Sequence, residues 1–465
     1  MLALKELELF IFSFFFYGIA ANGSERAAPF SGTKFRIFFK KVFEKNVNDA
    51  RITGVIHKCA LRFLRDFFEK KSVHVLIFFP WNKSKNMIKY HYKIEQREVD
   101  YVPEFDSWQL QLSKYFGQGD LKRAEKCAAW QMAIGLQMVD GLRPSSYLLE
   151  TAKEHIEGHI DIAEAQERIQ NYYKEQKNLG AVDVGTMEAD FVSVHITELL
   201  GEKTFQFSPA ELQSIHRRLF TGVFDYAGQF RTYNITKNEW VLGGDTVVYS
   251  SWESIRDTLD YDFSQEKQFS YDALSVPESI KHMAKFASGI WQIHPFCEGN
   301  TRATAVFIVK YLKTFGFAVN NDVFAANSWY FRNALVRANY NNLQKGIHAT
   351  SEFLEMFFEN LLLGAQHELK NRYLHVEYKS EVPVQSANAE ISKCQNGTLD
   401  CTLEELAVLK AVEANPAITQ KELAVAAGKS ERTIKRRMTD LQEKGYLRRA
   451  NGKRNGLWEV LVDLS

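Results

Sequence analysis

The sequence predicts a mainly α-helical protein of more than one domain, with one β-rich insertion and a small basic unit at its C-terminus. Three observations carry this. Apolar residues recur at spacings of three and four over most of the span from about 105 to 370, as in "AEKCAAWQMAIGLQMV" and "SPAELQSIHRRLF". Within that span "NEWVLGGDTVVYSS" (Asn238 to Ser251) breaks the pattern. Its β-branched and aromatic residues flank Gly243, Gly244 and Asp245, which is a hairpin signal. Residues 376–400 then lose apolar periodicity and read as a linker to a separate unit at 401–465.

A chain of 465 residues has room for two or three domains. A net charge of +1 excludes any whole-chain electrostatic argument for nucleic acid or membrane. The five cysteines, Cys59, Cys127, Cys297, Cys394 and Cys401, form no CxxC pair and are odd in number. That favours a reduced, cytoplasmic protein over a disulfide framework or a zinc site.

In chain order, "LFIFSFFFYGIAA" (Leu9 to Ala21) is apolar, but Glu6 and Glu8 precede it instead of a positive region. It is also short for a bilayer span, so no membrane partner is expected. Residues 1–86 are rich in Phe and Lys without clean period, and Met87 is the first methionine after Met1. The expectation is that 1–86 is a mis-assigned or disordered extension and that 87–180 is an N-terminal helical segment. The helix through Met138 should stop near "DGLRPSS", where Gly141 and Pro144 break it and Ser145 or Ser146 caps the next. "SYLLETAKEHIEG" should end at Gly158, with "DIAEAQERIQNYYKEQ" after it. From 187 to 370 four further helices follow: "EADFVSVHITELL", "SPAELQSIHRRLF", "VPESIKHMAKFASGIWQI" and "TRATAVFIVKYLKTFG".

The chemistry concentrates in "HPFCEGNTR", His294 to Arg302. Pro295 should end one helix near His294, and a new helix should begin near Asn300. Backbone N–H groups from Gly299 onward then stand at a helix N-terminus, which attracts anions through its dipole and unpaired donors. Gly299 permits close backbone approach, Asn300 adds a side-chain donor, and Arg302 can fork onto phosphate oxygens. Glu298 beside them suits Mg²⁺ held between one carboxylate and phosphates. His294 is a candidate general base.

This stretch resembles the signature of the Fic family, HxFx[DE]GN followed by arginine. "FDYAGQFRTYNI" (Phe224 to Ile235) is similar to the segment ahead of the family's flap, and "SWYFRNALVRANYNN" (Ser328 to Asn342) to the helix after its core. The resemblance covers roughly 187–365. It implies a Fic-type helical core at 187–370 with a β-hairpin flap, and transfer of AMP from ATP to a hydroxyl side chain of a target protein. His294 would deprotonate the Ser, Thr or Tyr hydroxyl and Glu298 would hold Mg²⁺. Gly299, Asn300, Thr301 and Arg302 would bind the nucleotide, and Phe296 would anchor the loop. Flap residues Val241, Leu242, Thr246, Val247 and Val248 would receive the target segment by strand addition.

Two departures matter. Thr301 replaces the usual glycine. Ala305 stands where many relatives carry a second arginine, which in the family contacts the γ-phosphate and receives an inhibitory glutamate. Residues 133–173 resemble the helical antitoxin fused ahead of some Fic domains, whose motif is [ST]xxxE[GN]. Alignment puts Asp140 at the inhibitory acid and Leu136 at the hydroxyl. With Ala305 in place, Asp140 is expected to lack a receiving arginine and to inhibit only weakly.

At the C-terminus, "TQKELAVAAGKSERTIKRRMTDLQEKGYLRRANGKRNGLWEV" (Thr419 to Val460) reads as two helices and a two-stranded wing. It resembles the winged helix-turn-helix family. Between Lys429 and Arg454 lie ten Lys or Arg against three Asp or Glu, a footprint suited to DNA. The expected contacts are Arg432, Lys435, Arg436 and Arg437 on the second helix, and Lys453 and Arg454 on the wing. The combined expectation is a Mg²⁺-dependent protein adenylyltransferase coupled to DNA binding. The alternative is a DNA-binding transcriptional regulator whose Fic core senses nucleotide or is vestigial. A second copy of the chain is left open as a partner.

Overall fold

The computed structural model describes residues 75–77, 90–92, 112, 121–180, 182–317, 323–378, 400–450 and 456–464. Residues 1–101 and 102–465 form two units. In the first, strands β1 (Val75–Ile77) and β2 (Tyr90–Tyr92) pair antiparallel. That pairing joins chain on both sides of Met87. The rest of 1–86, and 379–399 of the expected linker, lie outside the described residues.

The second unit is mainly helical, and most of its boundaries follow from local chemistry. Helix α1 (Leu121–Gln137) runs into a 3₁₀ turn, Met138–Asp140, closed by Gly141 in the left-handed region at φ 68°. α2 (Ser146–Glu157) is capped by Ser145, whose hydroxyl accepts the Leu148 N–H, and ends at Gly158. α3 (Ile162–Asn178) is capped in the same way by Asp161, and α4 (Val184–Gly201) by Asp183. In α5 (Pro209–Phe220) Ser208 caps and Pro209 opens the first turn, where no N–H is needed. α6 (Ile255–Gln268), α7 (Val276–Ile293), α8 (Asn300–Thr314), α9 (Val323–Ala338) and α10 (Glu352–Leu363) complete the core.

α8 lies at the centre, with an unbroken buried run from Asn300 to Lys310 and α4, α5 and α7 packed against it. Phe307 and Ile308 are wholly covered there. α1 is sandwiched between α4 and α9. A Cβ on Gly135 would come within 2.4 Å of the Ala325 Cα, so only glycine allows α1 and α9 to approach this closely. Buried Asp190 on α4 ties down α2 and α3. It accepts the Ser145 N–H at 2.8 Å and the Tyr173 hydroxyl at 2.7 Å, and burial raises its pKa to about 6.

Segment 238–251 reverses direction as expected, but not as two paired strands. The Glu239 N–H donates to the Asp245 carbonyl at 2.9 Å around a 3₁₀ turn, Trp240–Leu242. The turn forms because Val241, Leu242 and Val247 are buried in the core, which pulls the chain inward.

At the C-terminus α11 (Leu403–Ala414), α12 (Gln420–Ala426) and α13 (Glu431–Glu443) precede an antiparallel hairpin, β3 (Leu447–Ala450) and β4 (Leu457–Val460). Ser430 caps α13 as expected, and Ile434, Met438 and Leu441 face its core. This unit docks on the helical core. α11 packs on α7, Ala427 meets Gly316, and the Lys410 ammonium donates to the Leu363 carbonyl at 3.1 Å. Among the described residues no helix is long and apolar enough to cross a membrane.

Candidate active site

α7 ends at Ile293 and α8 begins at Asn300, so the intervening loop presents its residues at a helix N-terminus. His294 is the turning point, with a left-handed φ of 50°, the sole non-glycine residue with positive φ among those described. Such a conformation persists only where surroundings enforce it. Arg231 supplies that enforcement. Its buried guanidinium donates to the His294 carbonyl at 2.8 Å, the Ile293 carbonyl at 3.2 Å, the Tyr233 carbonyl at 2.8 Å and the Ser250 carbonyl. Its own N–H donates to the Pro295 carbonyl. One cation thus satisfies the exposed carbonyls at the end of α7 and joins the loop to the flap.

The His294 ring is buried. Its Nδ1 lies 3.3 Å from the Trp291 carbonyl, an acceptor, so Nδ1 carries the proton and Nε2 keeps a lone pair. Nε2 is buried with no hydrogen-bond partner. Burial, followed by the charge of Lys237, holds the imidazole pKa well below 6.5, and the contact to Trp291 offsets this only in part. Tyr249 packs on the ring at 4.3 Å. His294 is therefore a neutral imidazole with an unpaired basic nitrogen.

Below the loop, His216 of α5 donates through Nε2 to the Glu298 carbonyl at 2.9 Å and accepts the Gly228 N–H at Nδ1. It stacks on Phe296 at 3.7 Å, and burial lowers its pKa to about 4. Phe296 is the loop anchor expected of it. Gly299 takes φ 76°, and a Cβ there would meet the Phe220 ring at 2.3 Å.

Several expected contacts are corrected. The Asn300 amide closes the loop on itself. Oδ1 accepts the Phe296 N–H at 2.9 Å and Nδ2 donates to the Phe296 carbonyl at 2.8 Å. The Thr301 hydroxyl accepts the Trp291 indole N–H at 2.9 Å, so its side chain also points into the core. Of the flap residues, Val241, Leu242 and Val247 are core, Thr246 is half-buried, and Val248 is exposed. Buried side chains cannot receive a target strand, which leaves Val248 and the local backbone.

Asp140 does meet an arginine. Its carboxylate lies 2.9 Å from Nη2 of Arg302, so the expected lack of a partner does not hold. The cation comes from the loop's own arginine, not from position 305. Glu188 of α4 shares the same nitrogen at 2.7 Å, and Nη1 donates to the Gln137 Oε1 at 3.1 Å. The Phe220 ring lies 4.8 Å beneath the guanidinium.

Glu298 is half-exposed and pairs with the Lys237 ammonium at 3.2 Å. Among the described residues no cluster of three or more His, Cys, Asp or Glu is placed to hold a metal by itself. A single accessible carboxylate, met by the Lys237 ammonium and by the Gly299 N–H at 3.4 Å, still fits Mg²⁺ that keeps phosphate and water as its other ligands.

Sequence reasoning missed His216, Lys237, Glu188, Gln137 and Tyr249. Lys237 is a cation just ahead of the flap segment, whereas the others carry no local signal.

On the docked C-terminal unit Arg432, Lys435 and Arg436 are exposed along one side of α13. Arg437 is buried on the other side, bonded to Glu404 at 3.1 Å and to Asp272 at 2.5 Å. It therefore faces the helical core and not DNA. Lys453 and Arg454 lie outside the described residues.

A basic nitrogen, one accessible carboxylate and a helix N-terminus stand together in a single turn. The Fic/DOC family model matches residues 206–312, and the winged helix-turn-helix DNA-binding model matches 405–448. The chain carries a Fic/DOC domain fused to a winged helix-turn-helix domain. Membership of 206–312 in that family supports a nucleotide-modifying activity of the AMPylation type in general. No curated protein matches the chain.

Proposed function

We propose that this protein is an adenylyltransferase that moves AMP from ATP to a Ser, Thr or Tyr hydroxyl of a target protein. The observation that carries the reading is the neutral, buried His294 with its unpartnered Nε2. In that role Nε2 removes the hydroxyl proton as the target oxygen bonds to the α-phosphorus, and pyrophosphate leaves. The first N–H groups of α8 and the Arg302 guanidinium bind phosphate oxygens once Asp140 withdraws. Arg231 and His216 keep the loop in register while this happens. Mg²⁺ on Glu298 would neutralise charge on the phosphates when bound.

DNA is the second partner. The exposed side of α13 that carries Arg432, Lys435 and Arg436 supports phosphate and major-groove contact. The regulator reading draws on the same docked unit, but it has no use for a basic nitrogen at position 294. The test is label transfer from ATP to the protein itself or to lysate proteins. His294→Ala should lose transfer by about a hundred- to ten-thousand-fold and keep nucleotide affinity. Equal transfer by the variant would eliminate the enzyme reading.

A further inference from the structure

We infer that His216 of α5 is a positioning residue of the transfer site, which turns the Glu298–Gly299 peptide so that the Gly299 N–H faces the phosphates of the bound nucleotide. This rests on the nucleotide site proposed above and adds a residue from outside its loop.

A trans peptide is planar, with its C=O and N–H pointing to opposite sides. Among the described residues no peptide bond is cis. His216 takes the Glu298 carbonyl from below the loop at 2.9 Å. The Gly299 N–H therefore points to the other side, where the Glu298 carboxylate stands with Oε1 at 3.4 Å. A contact of that length is weak, and a phosphate oxygen can displace it.

Glycine makes this control necessary. Gly299 sits at φ 76° without strain, and glycine accepts negative φ about as readily, so the peptide ahead of it is free to turn over. Turned over, it would aim the Glu298 carbonyl oxygen at the phosphates and repel them. The neighbouring loop carbonyls are held by other groups: those of His294 and Pro295 by Arg231, that of Phe296 by Asn300 and that of Gly299 by Ala303. Holding the Glu298 carbonyl falls to His216.

The ring is set for this task from behind. The Gly228 N–H donates to Nδ1 at 2.9 Å, so Nδ1 is the acceptor and Nε2 carries the proton. Gly228 is pinned to α5, because Gln213 donates to its carbonyl at 2.8 Å and a Cβ there would meet the Arg217 Cβ at 2.6 Å. Phe296 stacks on the imidazole with 13° between the rings, which keeps it from rotating. His216 is wholly buried, so bulk water does not compete for the Glu298 carbonyl.

The competing view makes His216 a filler behind Phe296. Three variants of the full chain, each in an Asp140→Asn background, separate the two. In His216→Gln the amide Nε2 can still donate to the Glu298 carbonyl. In His216→Asn the shorter side chain can accept the Gly228 N–H but does not reach Glu298. His216→Met fills the space and makes neither bond. Label transfer from Mg·ATP should fall about a hundredfold or more in the Asn and Met variants, as for loss of one transition-state donor. KM for ATP should change less than kcat, and His216→Gln should recover most of the rate. Amide NMR follows the peptide without turnover. Glycine labelled with ¹⁵N and glutamate with carbonyl ¹³C select the amides of Gly158 and Gly299. The Gly299 signal should shift with Mg·ATP in the Asp140→Asn parent and in the Gln variant, but not in the Asn or Met variants. Equal transfer by the Gln and Met variants, or a parent Gly299 amide that ignores Mg·ATP, would overturn the inference. A Gly299 amide that responds in the parent while no label is transferred would sink the transferase reading and leave this assignment standing.

Discussion

Asp140 and Arg302 are joined through a contact of 2.9 Å on a guanidinium that is almost completely buried. The pair is an ion contact on a buried nitrogen, which water screens less than it screens an exposed pair worth ~0–1 kcal/mol. Asp140→Asn should therefore raise the transfer rate by about tenfold, not merely a few-fold. Glu188→Gln should add less once Asp140 is gone, because both acids bind the same nitrogen. A double-mutant cycle on label transfer measures this coupling. Strict additivity would mean that the two acids act on different partners.

The pH profile follows from the His294 environment. Burial and then Lys237 stabilise the neutral ring, so the base form persists below the ordinary imidazole range. The rate should be flat above pH 6.5 and fall only at distinctly lower pH. Lys237→Met removes a cation that disfavours protonation, so its acid limb should move upward. A wild-type limb at the usual imidazole value, unmoved by Lys237→Met, would contradict this account.

Gly299→Ala tests the floor of the site. The new Cβ would meet the Phe220 ring at 2.3 Å in a backbone with φ 76°. Overpacking and left-handed strain together should cost about 2–4 kcal/mol. Gly244→Ala shares the positive φ but meets nothing within 4 Å, so its loss should be smaller. Thermal melting of both variants compares them, and equal losses would show that Phe220 yields freely.

Arg436 and Arg437 are neighbours with opposite duties. Arg436→Ala should weaken DNA binding and reduce its salt dependence. Arg437→Ala should leave DNA affinity nearly unchanged and lower the melting temperature, since it removes the bonds that tie α13 to Glu404 and to Asp272 of the helical core. Fluorescence anisotropy at two salt concentrations decides between them. A larger DNA effect from Arg437→Ala would place that side of α13 on the duplex.

Local features were the legible ones. Ser145, Ser430 and Gly158 marked helix ends because capping depends on a few adjacent residues. The loop from His294 to Arg302 was legible because its functional groups are contiguous. The partner of Asp140 was not, since Arg302 lies on a distant helix and Ala305 appeared to leave the acid alone. Glu188 lies in the second turn of a largely buried helix, and Arg332 of α9 meets Glu239 only because α9 packs beside the turn Trp240–Leu242. That the Asn300 amide also closes the turn on Phe296 carried no signal in the sequence.

The shared claim on Arg302 also has a kinetic meaning. If one guanidinium serves either the Asp140 carboxylate or a phosphate, nucleotide and clamp are rival occupants, and the half-saturating ATP concentration is the intrinsic dissociation constant divided by the open fraction. Under constant ATP supply, the nucleotide cannot be the signal. Whatever loosens α1 from α4 and α9 would shift the dose–response curve without touching a catalytic group, and the protein would respond to its surroundings as a set-point that is moved rather than a switch that is thrown.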